Sequence, residues 1–123
     1  MTYLLDVSTI IALLWQTHVD HDKVSIWVKG KKLAVCPITE LGFIRVSTSK
    51  AFNLPMTDAR KLLEDFIGST EFVPDDLRAL DGAVAPSSTK TTDWYLANLA
   101  HKHGMQWATL DQTAKHPAAV LIN

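Results

Sequence analysis

Apolar and polar positions along the chain fall into short blocks that alternate between two periods. Tyr3-Leu4-Leu5 is a continuous apolar run followed by Asp6 and Val7, which predicts a short buried strand. Ser8 or Thr9 is then expected to cap a helix that runs through Trp15. A second helix is predicted from about Asp20 to Lys29, because Val24, Trp27 and Val28 share one face and Gly30 supplies a stop. Leu33-Ala34-Val35-Cys36 is a second buried strand, and Pro37 suits the first turn of a helix that carries Leu41 and Ile44 and ends near Ser47-Thr48-Ser49. Thr57 is expected to cap the next helix, in which Ala59, Leu62, Leu63, Phe66 and Ile67 recur at the helical period before Gly68. Glu71-Phe72-Val73 predicts a third strand, closed by Pro74. Asp81 through Thr92, with Gly82, Pro86, Ser87 and Ser88, predicts the longest loop. Asp93 to His103 is a helix ended by Gly104, Gln106 to Leu110 a fourth strand, and Ala119 to Ile122 a fifth.

Strands alternating with helices imply an α/β fold with a parallel sheet and helices on both faces. With 123 residues there is room for one domain and one core, so residues 1–123 are read as a single unit. A hydrophobic fraction of 47% against 20% charged residues excludes a disordered chain. Cys36 is the only cysteine, so no internal disulfide can form and a reducing compartment suits the chain. The start lacks a basic leader, and the apolar run from Ile10 to Trp15 is too short to span a bilayer. The expectation is a cytoplasmic protein with no membrane partner. The net charge of −1 is unlike that of most nucleic-acid binders. An RNA substrate would therefore need local basic patches or metal offset, with candidates at Lys29, Lys31 and Lys32, at Arg45 and Lys50, at Arg60 and Lys61, and at His101 to His103.

The candidate chemistry lies in the acids. Asp6 and Asp111 each follow an apolar strand at its carboxyl end, where open α/β sheets build their sites. Glu40 stands in the first turn of the helix after the second strand, with Phe43 and Ile44 at i+3 and i+4, so it shares a side with large apolar residues. Asp93 repeats that arrangement with Leu96, Ala97 and Ala100. Each acid has a structural alternative: a helix cap for Asp6, a dipole contact for Asp93, a turn for Asp111, and an ion pair with Arg45 for Glu40. All four at one edge predict an acidic pocket. Clustered carboxylates favour their neutral form unless a cation holds them, and hard divalent ions with oxygen ligands, Mg²⁺ or Mn²⁺, answer that need. Such an ion lowers the pKa of a bound water and supports attack on a phosphodiester. Zinc has no ligand set here, and the spacing of His18 and His21 argues against a metal-binding pair.

The chain resembles the PIN-domain ribonucleases, and within them the VapC-type toxins of bacterial toxin–antitoxin modules. The resemblance runs essentially from end to end. It rests on Tyr3 to Ser8, on His18 and His21 leading into Trp27, on Cys36-Pro37-Ile38-Thr39-Glu40-Leu41-Gly42-Phe43-Ile44-Arg45-Val46, on Thr92 to Leu96, and on Ala108 to Asp111. It implies an α/β/α sandwich with a central parallel sheet of four to five strands and metal-dependent endonuclease activity on RNA. It also implies a homodimer and neutralisation by a VapB-type antitoxin. Carried over by position, Asp6, Glu40, Asp93 and Asp111 match the family's acidic quartet. Ser8 matches a supporting polar position that is more often Asn. Many relatives have a further acid just past the fourth, where this chain has Thr113, which bears on the number of metals bound.

In the expected mechanism Asp6, Asp93 and Glu40 or Asp111 bind one or two ions, a carboxylate such as Glu40 helps activate water, and Arg45 grips phosphate. A phosphatase would want a second Asp where Ser8 stands, and a receiver domain would want an acid beside Asp6. A non-catalytic RNA- or protein-binding module on the same fold is the alternative from another class.

Overall fold

The strand-to-helix alternation is realised as a sheet whose consecutive residues serve two separate cores. The computed structural model describes residues 1–123. Five strands are present: β1 (Thr2–Leu5), β2 (Lys32–Val35), β3 (Glu71–Phe72), β4 (Gln106–Thr109) and β5 (Ala119–Leu121). They form one sheet in the order β3-β2-β1-β4-β5, and every pairing is parallel. The helices are α1 (Val7–Leu14), α2 (His21–Trp27), α3 (Pro37–Ser47), α4 (Met56–Ile67) and α5 (Thr91–Lys102), with a 3-10 turn at Ser88–Lys90.

The two-residue period of the strands decides which side chain enters which core. Leu4, Ala34, Cys36 and Trp107 pack against α5 through Leu96, Ala97, Leu99 and Ala100. Their neighbours Leu5, Val35 and Ala108 turn the other way, onto Ile10, Ile11 and Ala12 of α1, Val24 of α2, Phe43 of α3 and Leu63 of α4. Continuous apolar runs in the sequence are the consequence of this two-sided burial. The α/β/α sandwich therefore has four helices on one face and α5 on the other.

Three boundaries differ from expectation. The first helix is capped by Asp6, whose side chain accepts from the Val7 N–H at 2.8 Å, the structural alternative named for this acid, and not by Ser8 or Thr9. A carboxylate directly at the strand end reaches the free N–H groups first. The fourth helix starts at Met56 behind Pro55, a residue before the predicted Thr57 cap. The end of the predicted long loop is ordered into the 3-10 turn, so that α5 begins at Thr91. No helix is long and apolar enough to cross a membrane.

The strand order fixes the position of the site. The chain builds outward from β1 through β2 to β3, then returns to add β4 and β5 on the opposite side. The reversal lies between β1 and β4, and connections there depart to opposite faces, leaving a crevice at the strands' carboxyl ends. Asp6 follows β1 and Asp111 lies just past β4.

Candidate active site

The crevice between the ends of β1 and β4 holds a cavity of about 560 Å³ whose lining includes Asp6, Ser8, His18, Arg45, Asp93 and Asp111. Three of the four predicted acids thus meet there, from β1, α5 and the end of β4. A larger cavity of about 700 Å³ lies under the Asp81–Ser88 loop, but Asp81 is the only carboxylate in its wall.

Asp6 is the most enclosed of the acids, at 9% exposure. Its backbone N–H donates to the Ala108 carbonyl at 3.1 Å, continuing the β1–β4 pairing into the site. Its Oδ1 accepts from the Val7 N–H, while Oδ2 accepts from the Thr109 hydroxyl at 2.9 Å and the Ser8 hydroxyl at 3.3 Å. These donors favour the charged form, yet burial, reinforced by the charge of Asp93, pushes the Asp6 pKa up to about 6. The carboxylate is firmly oriented and short of positive charge.

Thr109 also accepts from the Asp111 N–H at 3.1 Å, so one buried hydroxyl ties the two strand ends together. Asp93 lies in the first turn of α5, and burial pushes its pKa upward while Lys90 pulls it down and Asp111 pushes it up. Asp111 behaves in the opposite way. The Lys90 ammonium donates to its Oδ2, and the Thr113 hydroxyl and N–H donate to its Oδ1 at 2.6 and 3.0 Å. Lys90 first and Thr113 second hold the Asp111 pKa down to about 2.

Glu40 does not line this cavity. It stands in the first turn of α3 and lines a separate groove with Leu41, Ile44, Arg60, Leu63 and Ile67, where burial raises its pKa. The proposed ion pair with Arg45 does not form, and Arg45 is exposed at the wall of the acid cavity. Close packing positions α3 here: a Cβ on Gly42 would lie 2.5 Å from Cγ2 of Val7, the residue after Asp6. Only glycine allows α3 to rest against the start of α1 at that point.

The oxygen-only donor set fits a hard divalent ion, since Asp6, Asp93 and Asp111 offer carboxylates and Asp6 has uncompensated charge. No three acidic or histidine side chains close on a single point. An ion would therefore be held by fewer carboxylates and complete its shell with water, as Mg²⁺ commonly does.

The sequence assigns Thr109 and Lys90 no role in the site and argues only against His18 as a metal ligand, yet all three line or support the cavity. His18 joins the cavity wall, and its Nδ1 accepts from the Asp20 N–H at 3.0 Å, which leaves Nε2 to carry the proton of the neutral ring. Thr109 was hidden inside an apolar strand. Lys90 carried one available signal, a lysine at the start of a helix, where the backbone dipole disfavours positive charge.

A model of the family described as PIN domain matches residues 3–120. Ribonuclease VapC38 of Mycobacterium tuberculosis is 34% identical over 119 residues, covering 88% of this chain and 84% of that protein. Ribonuclease VapC29 of the same organism is 33% identical, covering 99% and 97%. Among solved structures, VapBC2 from Rickettsia felis bound to a DNA fragment from their promoter contains a chain that aligns with a TM-score of 0.64. It shares 15% identity, with 98% of this chain and 97% of that one covered. DNA-bound VapBC from Salmonella typhimurium aligns with a TM-score of 0.63 at 16% identity, covering 98% and 96%. The structural matches agree on the fold, the sequence matches run nearly end to end, and the chain belongs to the PIN-domain family, among the VapC ribonucleases.

Proposed function

We propose that this chain is a metal-dependent endoribonuclease that hydrolyses RNA phosphodiester bonds, and the toxin of a VapBC-type toxin–antitoxin pair. The observation that carries the reading is the meeting of Asp6, Asp93 and Asp111 in one cavity, with Asp6 buried and its pKa pushed up to about 6. Relatives named as ribonucleases VapC at above 30% identity support the same activity.

Asp6 and Asp93 are the residues that would hold Mg²⁺ or Mn²⁺, because both are carboxylates disfavoured as anions by burial. The bound ion supplies a water of lowered pKa and positive charge for the phosphodiester oxygens. Ser8 and Thr109 keep the Asp6 carboxylate in one orientation through their hydroxyl donors. Arg45, exposed at the cavity wall, grips the phosphate of the RNA, and His18 offers an N–H donor beside it. Glu40 and Asp111 complete the proposed acidic quartet. Glu40 acts from its own groove on α3, so Glu40→Gln should cost less activity than Asp6→Asn.

The groove between α3 and α4, with Leu41, Ile44, Leu63 and Ile67 flanked by Arg60 and Glu64, supports a protein partner and is assigned to a VapB-type antitoxin. Leu41 is 68% exposed there, an apolar residue that a partner would cover. A homodimer and a cytoplasmic location belong to the same reading.

The test is cleavage of a mixed small-RNA pool by purified protein with Mg²⁺, Mn²⁺ or EDTA, in parallel with Asp6→Asn. Metal-dependent cuts that vanish in the variant are expected. Equal cleavage in EDTA, or by Asp6→Asn, would overturn the mechanism.

A further inference from the structure

Lys90 occupies a position that local rules disfavour. It ends the 3-10 turn Ser88–Lys90 that runs directly into α5, and its side chain makes no cap bond there. A positive charge at that end also opposes the helix dipole. A residue whose charge opposes a helix dipole at the mouth of a site is expected to be compensated by something nearby. Here the compensation is acidic: Lys90 Nζ donates to Asp111 Oδ2 and lies 3.3 Å from the Thr113 hydroxyl, while Asp93 and Asp6 add to the negative field around it.

Thr113 completes the arrangement. Its hydroxyl and N–H occupy Oδ1 of Asp111, while Lys90 occupies Oδ2, so both oxygens of this carboxylate already have donors. Asp6 also has donors on both oxygens, but none of them is a cation, and neither Asp6 nor Asp93 forms an ion pair, although both face the same cavity. Lys90 thus bonds Asp111 alone and reaches Asp93 only through space, so Asp6 and Asp93 are left without a bonded cation.

We infer that Lys90 is a resident counter-cation that keeps Asp111 from ligating metal, so that the cavity takes a single divalent ion at the Asp6–Asp93 end. Lys90 is a positioning residue in this scheme, acting through Asp111 and through its charge. The inference rests on the proposed metal dependence and deepens it by setting the number of ions. It also explains why a threonine two positions past Asp111 suits this chain: a further acid there would compete for the ammonium that Asp111 uses.

The experiment is Mn²⁺ binding to the full chain, measured by calorimetry and by electron paramagnetic resonance of free Mn²⁺, with folding checked by circular dichroism. Wild type should bind one ion. Lys90→Met, which removes the charge and keeps the stem, should bind Mn²⁺ about tenfold more tightly or gain a second site, because a like charge has been removed beside the cation. Lys90→Arg should behave as wild type. The double variant Lys90→Met/Asp111→Asn replaces a neutral pair by a neutral pair and should return to wild-type affinity and stoichiometry. Equal or weaker Mn²⁺ binding by Lys90→Met would overturn the inference. So would a double variant as defective as Asp6→Asn, since Asp111 would then be a ligand. If Asp6→Asn binds Mn²⁺ as well as wild type does, the metal reading itself fails, separately from the role of Lys90.

Discussion

Two polar clusters include a residue of α5, Asn98 in one and Asp93 in the other, and they are built on opposite principles. Behind the sheet, Asn98 and His116 form a clamp in which every polar atom has a partner. Asn98 Oδ1 accepts from the Ala83 N–H at 3.0 Å and from His116 Nε2 at 2.7 Å, and its Nδ2 donates to the Ala83 carbonyl at 3.0 Å. His116 Nδ1 accepts from the Ala118 N–H at 3.0 Å, so the ring is neutral with its proton on Nε2. Gly82, at φ +80°, lies so close that a Cβ would sit 2.5 Å from the Asn98 carboxamide carbon. At the crevice, Asp6 has equally good hydrogen bonds and yet too little positive charge. A satisfied network of neutral groups secures the Asp81–Ala85 loop, whereas an oriented and electrostatically unbalanced carboxylate stores affinity for a cation. Hydrogen bonding alone does not distinguish the two clusters; charge balance does.

The largest separation between them should come from Asp6→Asn. Cleavage is expected to fall by at least about a hundredfold. Stability at pH 7 in EDTA should not fall and should rise by up to about 3 kcal/mol, as urea unfolding would measure. A variant that is both inactive and clearly less stable would mean that the capping bond of Asp6 outweighs its charge imbalance, and would break the comparison. Asn98→Ala should behave the other way. It strands the His116 N–H and both Ala83 backbone groups, and a loss of about 3 kcal/mol in urea unfolding is expected. Unchanged stability would remove the clamp from the account.

The pH dependence should sharpen the contrast. The Asp6 pKa is raised on folding, so between pH 4 and 6 the native state holds a proton that the unfolded state has released, and stability falls as pH rises through that window. The expected size is up to about 3 kcal/mol, visible as the difference between wild type and Asp6→Asn in EDTA and removed by Mn²⁺. Burial, with help from His101, lowers the His116 pKa, so its contribution has the reverse slope and is lost as pH falls below 6.5. Asp111, lowered to about 2, loses its contribution only between about pH 4 and 2. Melting curves of wild type, Asp6→Asn and His116→Gln across pH 4–8 resolve the first two. The smallest effect is reserved for Ser8→Ala, which removes one 3.3 Å bond to Asp6 and should cost less than about 1 kcal/mol with a few-fold loss of rate. A hundredfold loss would move Ser8 into direct contact with metal or RNA.

Much of this was legible in the chain. Tyr3 to Leu5 and Gln106 to Leu110 read as strands because central parallel strands are buried on both faces and so lack polar alternation. Asp6 and Asp111 stand out because open α/β sheets build their sites at the carboxyl ends of such strands. Asp93 was found through its apolar neighbours on α5. The limits have physical causes too. Local capping propensity leaves Asp6, Ser8 and Thr9 all open as the cap of α1, and the turn that selects Asp6 depends on the strand pairing of Asp6 with Ala108. Glu40 was grouped with the other acids from its place in a helix's first turn. A helix start, however, does not determine the rotation of the helix about its axis, and that rotation assigns Glu40 to the α3–α4 groove.

By itself the sequence determined the element types, the two-sided burial of the sheet and the acids at the strand ends, since these depend on periodicity and on neighbours within one or two turns. Only the tertiary structure decided which charges meet. The partnership of Lys90 with Asp111 spans 21 positions and follows from the packing of α5 on β4, while that of Thr109 with Asp6 spans 103 and arises because β4 returns to lie beside β1. A carboxylate's pKa is set by burial and by charges across space. The same residue type is therefore pushed up to about 6 at Asp6 and held down to about 2 at Asp111, on adjacent strand ends of one cavity.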